Sequence, residues 1–101
     1  MLRRSRYNDL IATQLDLFAR DEHWYLDEVN RALERYNAAD ADEAEELYGD
    51  YQLAIEAAMD RLAEARDTYA RTLDDADQYL ADFNRAAVRR WRALALAIEE
   101  S

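Results

Sequence analysis

The chain has no cysteine and no proline, a single glycine (Gly49) and a single histidine (His23). Without cysteine there is no disulfide framework and no thiolate metal site, and the redox compartment cannot be read from the sequence. Without proline, and with one glycine, the residues that shape hairpins and sharp loops are almost missing. Lysine is missing as well, all 13 basic residues being arginine. No stretch approaches the roughly 18 consecutive apolar residues of a membrane-spanning helix. The opening Met1-Leu2-Arg3-Arg4-Ser5-Arg6 is basic but leads into Tyr7-Asn8-Asp9 instead of an apolar run. A signal peptide is therefore not expected, and a cytoplasmic location is.

What is present is apolar and charged in quantity. Half of the 101 residues are hydrophobic, which is enough for a core. The length allows one domain, residues 1–101. A composition dominated by Ala, Leu, Arg, Glu and Asp points to an all-α chain with long elements.

The net charge of −10 is uneven. Residues 1–39 carry six Arg against seven acids, residues 40–80 three against thirteen, and residues 81–101 four against three. The excess thus sits in the middle third. Phosphate binding needs clustered cations, so direct nucleic-acid binding is not expected.

Hydrophobic periodicity predicts a first helix over about 3–38. Its central stripe is Tyr7, Ile11, Leu15, Phe18, Leu26, Val29, Leu33 and Tyr36. A second stripe of Leu10, Leu17 and Trp24 widens the apolar arc beyond what one neighbour covers. The break at Asn37–Asp42 ends in a capping-box pattern, Asp40 followed by Glu43. Beyond it, Ala44, Leu62, Leu80 and Ile98 recur at steps of eighteen. Tyr48, Tyr51, Ile55, Ala58, Ala65, Tyr69, Leu73, Ala76, Phe83, Ala87, Trp91 and Leu94 keep the same phase between them.

A continuous second helix over about 41–98 is the first expectation, making an antiparallel helical hairpin with coiled-coil-like packing. The alternative is a three-helix bundle with a break near 72–77, where Thr72/Asp75 or Asp75/Gln78 could cap a third helix. The unbroken phase favours the hairpin. Its arms would measure roughly 53 Å and roughly 85 Å at 1.5 Å per residue. Residue 3 would then face residue 77, bringing Arg3, Arg4 and Arg6 near Asp74, Asp75 and Asp77. The last third would have no cover within its own chain. On that argument the protein is a homo-oligomer, with a dimer as the simplest closed form. Trp24, Leu80, Phe83, Trp91, Leu94 and Ile98 would form its partner-binding surface.

Glu22 stands in the middle of the first helix's central stripe. Solvation in a local groove, or a tyrosine hydroxyl, is the plainer reading of it. A ferritin-like di-iron site also places Glu in a helical core but needs Glu-x-x-His on a facing helix, and the second helix has no histidine. His23 and Asp27 lie four apart on one face, too small a ligand set for a metal. Six of the seven tyrosines follow the apolar stripes, which reads as an amphipathic core. The Arg- and Trp-bearing segment 86–98 reads as a protein-packing face more plainly than as a membrane-surface helix.

No nucleophile–base pair or phosphate-binding glycine loop is present, so neither catalysis nor a cofactor is expected. The expected function is that of a non-enzymatic scaffold or interaction protein. The alternative is an acidic inhibitor or nucleic-acid mimic blocking a basic groove on a partner. It would act through a face comprising Asp40, Asp42, Glu45, Glu46, Asp74, Asp75 and Asp77. In outline this face resembles small acidic phage-encoded helical inhibitors.

Overall fold

The computed structural model describes residues 6–95. Within them the chain is all-α, a helical bundle built on a hairpin. Its elements are α1 (Asn8–Asp21), α2 (His23–Ala38), α3 (Ala44–Ala70), α4 (Asp77–Arg90) and a 3-10 turn (Arg92–Leu94). The molecule is elongated, 50 × 29 × 24 Å.

The α2–α3 hairpin is antiparallel, as two pairs between its arms show. Glu22 meets Arg61, and the Tyr36 and Tyr48 rings lie 5.3 Å apart. The turn forms where the sequence places it. Asp40 accepts from the Glu43 backbone N–H through its carboxylate at 3.2 Å, and its carbonyl takes the Glu43 and Ala44 N–H groups. The Asp40 carboxylate thus closes the turn ahead of α3, whose N-cap residue, Glu43, makes no side-chain capping bond.

Two interruptions change the predicted rods. The first falls at Glu22, whose φ of −118° and ψ of 27° depart from helical values and divide the first helix into α1 and α2. The second is decisive. α3 ends at Ala70 and α4 begins at Asp77, so the continuous helix over 41–98 gives way to the break near 72–77. The connection satisfies its own backbone: Arg71, Thr72 and Leu73 N–H groups bond to the Asp67, Tyr69 and Ala70 carbonyls. The Thr72 hydroxyl donates to the Tyr69 carbonyl at 2.7 Å, and Asp75 accepts from the Asp77 N–H at 3.1 Å. Stopping the helix there leaves few orphan groups.

α4 then folds back along α3, with Arg66 donating to Asn84 at 2.9 Å. It runs in the same direction as α1: Tyr7 meets Tyr79 at 5.5 Å, Asp16 meets Arg90, and Phe18 meets Trp91 at 5.7 Å. One half of the molecule is therefore three helices thick. The half nearer the 39–43 turn is the two-helix hairpin alone.

This return supplies the cover that the sequence reading withheld. Phe83 and Leu94 are each 1% exposed, and Ala87 is fully buried. They pack with Ile11, Leu15, Phe18, Ile55 and Leu62 in one core. The expectation that residues beyond 78 lack an intramolecular partner is thereby corrected. Burial of each large apolar side chain contributes about 1.5–3 kcal/mol. That outweighs the small loss at a break whose hydrogen bonds are largely replaced.

Beyond the break the inward face keeps Phe83 and Ala87 of the predicted stripe and widens to take in Tyr79. Tyr79, the tyrosine off the predicted stripes, is 0% exposed, whereas Leu80 is only half-buried. A step of one residue turns a helix by about 100°. Tyr79 now occupies the inward position, against the Tyr7, Tyr69 and Phe83 rings.

Candidate functional site

The predicted partner-binding residues do not come together. Phe83 and Leu94 belong to the core, while Leu80 and Trp91 are half-buried against it. Ile98 lies outside the described residues, as do Arg3 and Arg4. Trp24 is the one still turned to solvent, at 58% exposure.

Trp24 stands at the start of α2, one helix face on from Leu17 of α1, which is 43% exposed. α4 packs along α1, Leu10 of the second stripe is half-buried against the core, and Leu17 and Trp24 stay open. The Trp24 and Tyr25 rings meet edge to face at 5.0 Å. Arg61 of α3 lies 5.5 Å over the Tyr25 ring and donates to Glu22 at 2.6 Å. A shallow groove of about 260 Å³ runs beside this pair, with Leu17 and Phe18 on one wall and Ala65 on the other.

Glu22 thus has a plainer role than a metal ligand. It leaves the helix at the α1–α2 junction and pairs with Arg61, and Arg61 also reaches Glu64 at 3.3 Å. The hydrogen bond that Arg61 donates to Glu22, then the Glu22 charge, holds the guanidinium above its ordinary value. Beside it, the Arg20 hydrogen bond lowers Asp21 below the usual carboxylate range. The surface is aromatic and aliphatic at its centre and edged by two ion pairs of both signs.

The acidic residues divide into two groups. Asp40, Asp42, Glu45 and Glu46 are exposed around the α2–α3 turn. Asp74, Asp75 and Asp77 are exposed at the α3–α4 connection. The 27 residues of α3 separate them, a span of about 40 Å. They do not form one face.

His23 and Asp27 meet as their spacing predicts, Nδ1 to Oδ2 at 3.1 Å, in the open. Among the described residues no three His, Cys, Asp or Glu side chains converge in a way that could hold a metal ion. No helix among them is long and apolar enough to cross a membrane.

Two polar features escaped the sequence reading. Tyr79 reaches across 65 positions to donate to Gln14 at 2.8 Å. Asp82 is buried in α4, where Arg85 donates to it at 2.7 Å and Gln78 at 2.8 Å. The spacing of Gln78, Asp82 and Arg85 puts them on one helix face, which is the signal that could have paired them. Nothing in that spacing shows that the face turns inward. No family model, curated protein or solved structure matches this chain.

Proposed function

We propose that the protein is a non-enzymatic interaction module that self-associates as a dimer through the open α1–α2 face around Leu17 and Trp24. The observation that carries this reading is the exposure of Trp24, 58%, beside Tyr25 and Arg61. Trp, Tyr and Arg are the residue types on which binding energy concentrates at protein interfaces. A two-fold contact requires a patch that complements itself. In support, Arg20 and Arg61 lie next to Asp21 and Glu22, so this patch carries charges of both signs that a second copy could meet. The strongly acidic segment around the α2–α3 turn would instead repel its copy.

Light scattering across a concentration series tests the proposal. The wild type is expected at twice the monomer mass, and Leu17→Glu with Trp24→Glu at the monomer mass with unchanged helix content. A wild type that stays monomeric, or a variant that keeps the dimer mass, overturns it.

A second reading places the binding surface at the hairpin turn. Residues 40–50 hold six acids and no base, and Asp42, Glu45 and Glu46 make no ion pair among the described residues. Such an end suits a cation-lined groove on another protein. Neutralising Asp40, Asp42, Glu45 and Glu46 would then abolish a salt-sensitive association while leaving the oligomer mass alone.

A further inference from the structure

Where α4 ends, Trp91 adopts φ −130° and ψ 88°, and the chain turns so that Leu94 enters the core over α3. The turn opens a cleft of about 450 Å³ between the α1–α2 junction and residues 90–94. That size falls within the roughly 300–1,000 Å³ of small-molecule sites.

The cleft has an apolar floor and a polar rim. Leu26, Val29, Leu94 and the Trp91 indole make the floor. The indole is fixed from two sides, by the Phe18 ring at 5.7 Å and by the Arg90 guanidinium 5.0 Å from its centroid. The wall it forms is thus set before anything enters.

On the rim, most of the charge is already engaged. Arg90 pairs with Asp16, and Asp27 with His23. Two polar groups remain with no hydrogen bond or ion pair among the described residues: the Arg92 guanidinium and the Asn30 amide. One free cation and one neutral donor beside an apolar floor suit a single negative charge on an apolar body. Arg is the side chain whose planar fork best matches a carboxylate.

We propose that this cleft binds a small apolar molecule carrying one anionic head group, with Arg92 and Asn30 holding a carboxylate and the body lying against Trp91 and Leu26. The site lies apart from the Leu17–Trp24 face and does not depend on the oligomeric state.

Octanoate, at concentrations below micelle formation, is the probe, with 1-octanol as its uncharged counterpart. The readout is the indole Nε1–H signals of Trp91 and Trp24 in proton–nitrogen correlation spectra of the full chain. Octanoate is expected to shift the Trp91 signal saturably and leave Trp24 in place. Octanol is expected to bind about tenfold or more weakly, as a charge-assisted hydrogen bond implies. Arg92→Gln is expected to remove that advantage. Arg89→Gln deletes an exposed arginine outside this cleft and is expected to keep it. The proposal is overturned by equal binding of octanol and octanoate, by no response at millimolar octanoate, or by parallel movement of both indole signals. Equal weakening by the two arginine variants would reduce the effect to general electrostatics and overturn it as well.

Discussion

The Tyr79 hydroxyl donates to Gln14 Oε1 at 2.8 Å and so ties the first turn of α4 to the middle of α1. The ring is wholly buried, and that burial, ahead of any neighbouring charge, raises the phenol above its ordinary value of 10.0.

Tyr79→Phe should therefore do two things. At neutral pH it loses a hydrogen bond worth about 0.5–1.5 kcal/mol, with Gln14 close enough to solvent to hydrate. In alkali that deficit shrinks. The folded state keeps the Tyr79 proton after the unfolded chain has released it. This contribution is thus complete below the unfolded pKa and is lost as pH rises through it towards the higher folded value. Urea unfolding at about pH 8 and about pH 11 checks this: the gap between wild type and Tyr79→Phe should narrow at the higher pH. A constant gap contradicts it.

Phe83 and Trp24 provide the sharpest contrast between buried and open aromatics. Phe83→Ala empties a fully enclosed site and should cost about 3–5 kcal/mol, much of a domain's stability. Trp24→Ala should change the stability of the fold itself, read at concentrations too low for association, by less than about 0.5 kcal/mol. Circular dichroism in urea distinguishes them. Comparable small losses would mean that α4 does not pack on α1.

Glu28 accepts hydrogen bonds from Arg35 at 3.1 Å and Arg31 at 3.1 Å, and these, in that order, hold its carboxyl below the ordinary range. Its contribution to stability is present above the unfolded pKa and is lost as pH falls through the lower folded value. Glu28→Gln should flatten the acid side of the stability profile. Because both arginines are exposed and Glu28 is only half-buried, added salt should shrink the difference. A profile unchanged by the substitution at low salt would exclude the pair from the acid response.

Gly49 lies inside α3 with a negative φ, and a Cβ built on it meets nothing within 4 Å. Gly49→Ala should stabilise the chain by about 0.5–1 kcal/mol, through lower entropy of the unfolded state and better helix propensity. Thermal unfolding reads this directly, and a lower midpoint would show that the glycine serves a contact outside the chain.

Much of this architecture is legible locally. The turn at 39–43 follows from Asp40 and Glu43, and the inward line of Ile11, Leu15 and Phe18 from their spacing. The His23–Asp27 pair also follows from spacing. The candidate surface was visible in part, because Leu17 and Trp24 stand off the main stripe. Arg61, which pairs with Glu22 and lies over Tyr25, was not, since it comes from another helix 39 positions on from Glu22.

By itself the sequence determined an all-α chain, the site of its first turn and the uneven charge along it. These rest on interactions among neighbours a few residues apart. Only the tertiary structure decided that the second helix stops at Ala70, that α4 returns beside α1, and that Tyr79 rather than Leu80 turns inward. The periodic pattern is compatible with one long rod or two short ones, because phase describes a helix and not its end. The choice falls to burial: a rod would leave Phe83 and Leu94 in water, and a fold satisfied by a few turn hydrogen bonds encloses them.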